Sequence, residues 1–181
     1  MALTELPLHL PGRLYRCAMP FSEYDRAGLL LDHFQLNDVS LVVILAERSE
    51  CLSAARGDLI EVYRREGLEV IHLPIRDFTA GNGEPIQPYV RRVLDTLRAG
   101  RHVAIHCHAG KGRTGMFAAC LAREVLGLSG DEAIAWIRGL VPGAVETRGQ
   151  EELIRSYLVA RGSRESGGED RARRGGRRPP G

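Results

Sequence analysis

The run Leu41–Ala46, LVVILA, constrains this chain more than any other segment. Six consecutive apolar residues leave no polar face for water, so they suit a strand buried on both sides, as in a parallel sheet covered by helices. The run is far shorter than the roughly 20 residues needed to cross a bilayer. Glu69–Leu73 (EVIHL) and His102–His106 (HVAIH) have the same character, and Arg13–Ala18 (RLYRCA) is a shorter candidate strand after Pro11-Gly12. Helical patterns lie between them at residues 24–34, 54–66 and 88–99, the last with Tyr89, Val93, Leu94 and Leu97 on one face. Beyond residue 113 the pattern is wholly helical. Ser129 followed by Glu132 is a capping box, and Thr147 followed by Gln150 repeats the signal before the last helix. Strands alternating with helices predict an α/β fold: a central, mostly parallel sheet of about four to five strands flanked by helices.

Composition divides the chain in two. With 44% hydrophobic and 27% charged residues, it has the balance of a soluble globular protein. A domain of this size buries about 70% of its unfolded surface without disulfide or metal staples. Residues 1–161 are expected to form that domain, acting as a monomer. Residues 162–181 contain no apolar side chain larger than alanine or proline, and they carry six Arg against Glu165, Glu169 and Asp170. This segment is expected to be a disordered Arg/Gly-rich tail able to contact anions, with no nucleic acid required for function. The formal net charge of +2 therefore belongs to the tail, leaving −1 for the body. The first residues, MALTELPLHLPG, lack the basic start and apolar stretch of a secretory signal. A cytoplasmic location follows as the expectation, with Cys17, Cys51, Cys107 and Cys120 reduced.

Chemistry concentrates in one segment, His106-Cys107-His108-Ala109-Gly110-Lys111-Gly112-Arg113-Thr114-Gly115. It joins a buried strand to a helix, so free backbone N–H groups and the positive end of the helix dipole converge there. Gly110, Gly112 and Gly115 allow unusual backbone angles and close approach to a ligand. Cys107 at the start and Arg113 six residues on both suit its centre: loop amides and guanidinium stabilise a thiolate, and the guanidinium fork matches two phosphate oxygens. The segment assembles a nucleophile inside an anion cradle. It is not a nucleotide-binding P-loop, because Gly112 follows Lys111 where that motif requires Ser or Thr.

HCxxGxxRTG closely resembles the signature of the cysteine-dependent protein tyrosine phosphatase superfamily. LPGRLYRCAMP is similar to the entry strand of its compact dual-specificity members, PIRDF to their general-acid loop, and VPGAVETRGQEELI to a segment of the small atypical and archaeal-type members. Together these cover roughly residues 10–160. The resemblance implies that Cys107 attacks phosphorus and forms a cysteinyl-phosphate. Arg113 and the amides of His108, Ala109, Gly110, Lys111 and Gly112 would hold the equatorial oxygens. Thr114 would hydrogen-bond the departing sulfur. Asp77 would protonate the leaving oxygen and then deprotonate the attacking water, with Glu84 the nearest substitute. Arg76 stands where many relatives have Pro. No metal or other cofactor is implied. Gln150 matches a water-positioning glutamine of some relatives, but the capping box explains Thr147 and Gln150 equally well.

Several residues have plainer explanations. Cys17, Cys51 and Cys120 suit inert core positions, Cys120 alternatively a resolving thiol, and His72 a structural role. His106 and His108 flank Cys107 without a second ligand pair at zinc spacing, so they are not expected to bind metal. His106 instead suits a role behind the thiolate. Two substrate classes remain open, a phosphoprotein and a phosphorylated inositol. Lys111, the only lysine in the chain, resembles a feature of phosphoinositide phosphatase loops; the flanking segments resemble small protein phosphatases. A non-catalytic phosphate-binding module is the third reading.

Overall fold

The computed structural model describes residues 3–55, 57–81 and 85–159. Its sheet has the order β1-β2-β5-β3-β4. The strands are β1 Thr4–Leu6, β2 Leu14–Cys17, β3 Val39–Ile44, β4 Glu69–His72 and β5 His102–His106. All neighbours pair in parallel except β1, which runs antiparallel to β2. The expected α/β class and mostly parallel sheet are therefore observed, at five strands.

β3 accounts for the layering. Leu41 and Val43 join the larger core with α4 (Gln87–Arg98), α5 (Gly112–Leu126), α6 (Gly130–Leu140) and α7 (Arg148–Ser156). Val42 and Ile44 face the opposite core with α1 (Leu29–Leu36), α2 (Arg48–Ala54) and α3 (Leu59–Arg65). Both faces are covered, which is why the strand sequence shows no alternation.

Four elements differ from the sequence expectation. The edge strand β1 was not anticipated; it is three residues long and gains its conformation from pairing with β2. The helix expected over 54–66 begins only at Leu59, as α3, since Asp58 turns extended and its side chain accepts from the Ile60 amide as the cap; α2, Arg48–Ala54, is a further helix that the sequence pattern did not mark. The first helix begins at Leu29 rather than 24, after Gly28 in the left-handed region. The expected tail, residues 162–181, lies outside the described residues.

Candidate active site

The parallel strands all end on one edge of the sheet, where chain leaving β5 turns into α5. Cys107 follows β5 immediately and is nearly buried, at 3% exposure. Gly110 has φ +71, and a Cβ there would run into the carbonyl of Cys17, so only glycine fits. The Met19 amide donates to the His108 carbonyl at 2.7 Å, and Arg16 Nη1 donates to the Gly110 carbonyl at 3.2 Å. The chain leaving β2 thus fixes the outer side of the loop. α5 begins at Gly112, so the amides of its first turn open toward the loop.

His106 holds the loop from behind. Its Nδ1 is 3.0 Å from the Cys107 carbonyl and its Nε2 2.9 Å from the Tyr63 hydroxyl, with all three residues buried. A carbonyl only accepts, so Nδ1 carries the proton and the Tyr63 hydroxyl donates to Nε2. Burial pulls the His106 pKa down to about 4, against the opposing hydrogen bond to Cys107. The ring is neutral near pH 7. Burial also pushes the Cys51 and Cys120 thiols up to about 12 and raises that of Cys17, as suits inert core cysteines.

Arg113 is 1% exposed, and two carboxylates claim it. Glu50 of α2 binds it in bidentate fashion at 2.7 and 2.8 Å, and Asp77 Oδ1 lies 2.9 Å from Nη2. Nη1 also donates to the Ile75 carbonyl at 3.0 Å. Burial disfavours the cation, but Glu50, Cys107 and Asp77 outweigh it and hold its pKa above the ordinary value. Glu50 shows the counterpart: burial raises its carboxyl, while Arg113 and then His108 pull it below the usual range. Arg113 Nε and Thr114 Oγ1 are buried without a hydrogen-bond partner among the described residues.

Asp77 follows β4 on a turn. Its Oδ1 accepts from the Phe78 amide, and Phe78 adopts φ +56 with its ring 65% exposed. Gln150 completes the capping box expected at the last helix. Its Oε1 accepts from the Glu146 and Thr147 amides, while Nε2 donates to the Thr79 carbonyl at 3.2 Å. The glutamine thereby ties the last helix to the Asp77 turn. Glu84 lies outside the described residues.

A cavity of about 240 Å³ is lined by Cys107, His108, Ala109, Arg113, Asp77, Tyr24, Phe78 and Glu146. Cys107, Arg113 and Asp77 are therefore brought together. Thr114 is buried in the first turn of α5, and Lys111 is exposed outside this lining. His106 and His108 do not share a face: His106 enters the core, whereas His108 Nε2 pairs with Glu23 at 3.0 Å and Nδ1 lies 3.6 Å from Glu50. His72 has a structural role, with Nε2 3.0 Å from the Ala46 carbonyl. Sequence reasoning missed Glu50, Glu23, Tyr24 and Glu146. The first three carry no local motif. Glu146 lies in the VPGAVETRGQ segment, whose resemblance is the one signal that could have pointed to it.

A five-stranded sheet with a Cys-x5-Arg loop between β5 and α5 is the architecture of the compact cysteine-based dual-specificity phosphatases. Residues 22–125 match the model of the Tc-R-P family, described as polymorphic toxin system, DSP-PTPase phosphatase, and the chain belongs to that family. It is similar to the mouse (Mus musculus) protein tyrosine phosphatase domain-containing protein 1, 28% identical over 148 residues. That match covers 77% of this chain and 20% of the mouse protein, so the chain spans about a fifth of the curated relatives of that name. Among solved structures, the active form of Tk-PTP is 32% identical with a TM-score of 0.69, covering 83% of this chain and 93% of that one. The structure of PTPMT1 in complex with PI(5)P shares the fold, at 22% identity and a TM-score of 0.63, covering 78% and 87% of the two chains.

Proposed function

We propose that this chain hydrolyses phosphate monoesters through a cysteinyl-phosphate intermediate, as a protein tyrosine or dual-specificity phosphatase. One observation carries the reading: Cys107 and the buried guanidinium of Arg113 line the same cavity. In the first half-reaction Cys107 Sγ attacks phosphorus while the ester P–O bond breaks. Asp77 gives its proton to the leaving oxygen, which requires its carboxyl to leave the Arg113 ion pair. The incoming phosphate takes over the guanidinium together with the loop amides of residues 108–113. Water then attacks phosphorus, the S–P bond breaks, and the Thr114 hydroxyl donates to the departing sulfur. The chain's own residues supply the positive charge this sequence needs.

The rim favours a phosphoprotein over an inositol polyphosphate. Glu23, Glu50, Asp77 and Glu146 bring carboxylates to the mouth, and His108 is engaged by the first two. A ligand bearing several phosphates meets repulsion there, whereas a single phosphate on a polypeptide does not. Lys111 supports the second reading, a phosphoinositide substrate, as an exposed cation on the loop. The protein is proposed to act as a cytoplasmic monomer. Among the described residues no helix is long and apolar enough to cross a membrane.

The test is phosphate release from a phosphotyrosine peptide and from phosphatidylinositol trisphosphate, side by side, with Cys107→Ser as control. Faster release from the peptide is expected. Faster release from the lipid, lost selectively in Lys111→Met, would establish the second reading. A chain that binds vanadate without turnover would be a phosphate-binding module.

A further inference from the structure

Arg16 approaches the phosphate loop from β2. Its neighbours alternate between the two cores, Leu14 on the side of α5, Tyr15 and Cys17 on the side of α1, so Arg16 shares the face of Leu14. Its Nη1 donates to the Gly110 carbonyl at 3.2 Å, while Nε is buried without a hydrogen-bond partner among the described residues. No carboxylate among those residues pairs with it. Burial pulls its pKa below the ordinary value, and the charges opposing that shift are the sulfurs of Cys17 and Cys107. A half-buried cation in this state costs stability, so its presence calls for an explanation at the site. The bond to Gly110 supplies one. A trans peptide sets C=O and N–H on opposite edges of one plane. Holding the Gly110 carbonyl toward β2 therefore turns the Lys111 amide the other way, into the loop. That amide donates to no group among the described residues. One turn earlier the Met19 amide holds the His108 carbonyl in the same manner, at 2.7 Å.

We infer that Arg16 is a positioning residue of the phosphate loop: it aims the Lys111 amide at the bound phosphate, and its uncompensated charge favours both that phosphate and the Cys107 thiolate. The inference rests on the phosphatase reading. Arg16 stands outside the lining of the cavity that holds Cys107 and Arg113, so it touches no reacting atom and acts through the loop. The other charged groups around Cys107 are Arg113, its partners Glu50 and Asp77, His108 and Glu146. Substitutions at Arg16 leave all of them in place.

Two variants test this, Arg16→Met, which keeps an unbranched stem without charge or donor, and Arg16→Lys, which keeps the charge. Each is read by orthovanadate affinity, by the rate of Cys107 alkylation with iodoacetamide across pH, and by thermal melting. Arg16→Met is expected to bind vanadate about ten-fold more weakly and to slow alkylation about ten-fold on the acid limb of its pH profile. It should melt no lower than wild type, because a buried unpartnered N–H and an uncompensated cation are gone. Arg16→Lys should recover most of both the binding and the alkylation rate. An Arg16→Met chain that fails to fold, or that melts lower with vanadate binding and alkylation unchanged, would make Arg16 a purely structural residue and overturn the inference. A lysine variant no better than the methionine one would overturn it too. A wild-type chain without Cys107-dependent phosphate release would instead overturn the phosphatase reading itself.

Discussion

Replacing His106 with asparagine should remove much of the acid sensitivity of folding. Burial holds the His106 pKa at about 4, against an ordinary value of 6.5. Between these values the unfolded chain binds a proton that the folded chain refuses, so stability rises with pH across this window and falls as pH drops through it. The full difference, about 2.5 pKa units, corresponds to roughly 3 kcal/mol, and about 2 kcal/mol of it falls between pH 7 and pH 5. The structure explains the sign. A proton on Nε2 would turn an acceptor toward the Tyr63 hydroxyl into a donor and leave a cation inside the core. Urea denaturation of wild type and His106→Asn at both pH values measures the effect, because the titrations of surface carboxylates are common to the two proteins and cancel. Wild type should lose about 2 kcal/mol more than the variant on going to pH 5. An equal loss in both would refute the argument and place the acid sensitivity elsewhere.

Other predictions address the site directly. Glu50→Gln should keep the fold but lower kcat/KM by about ten- to hundred-fold, because Arg113 loses the charged fork that orients it; steady-state kinetics with an aryl phosphate reads this. Asp77→Asn should lower kcat on poor leaving groups far more than on good ones while leaving vanadate affinity equal or tighter, since it removes the anion that competes for Nη2. Gly110→Ala should abolish turnover and destabilise the loop, its Cβ meeting the Cys17 carbonyl in a left-handed conformation; melting and activity measured together would expose an unaffected variant. Thr147→Ala should cost about 1 kcal/mol in chemical denaturation through loss of the capping box.

What could be read from the sequence was what local chemistry encodes. The runs at 41–46 and 102–106 mark buried parallel strands because helices on both faces remove any need for polar alternation, while 69–73 marks the parallel strand at the sheet's edge, where Glu69 is exposed and Ile71 buried. The antiparallel edge strand was silent, since three residues, TEL, carry no periodicity of their own. The start of α3 does have a signal: Asp58, with Glu61 three residues on, is a helix start lying inside the segment 54–66. Cys107 and Arg113 could be paired because one loop contains both. Glu50 could not, because it stands 63 residues before the arginine it grips.

That contact nonetheless follows from topology once the strand order is known. β5 lies between β2 and β3, with β4 beyond β3, all four parallel. Residues just past the carboxyl ends of neighbouring parallel strands are therefore gathered at one edge, where ligands bind in such sheets. Glu23 and Tyr24 follow β2, Glu50 follows β3, and Asp77 follows β4; each reaches the loop after β5 or its arginine. Glu146 reaches the same cavity from a turn between helices, outside this rule. It is carried there by Val145 at φ +59 and by the hydrogen bonds of Arg138 and Gln150 to that turn, features that only three-dimensional packing reveals.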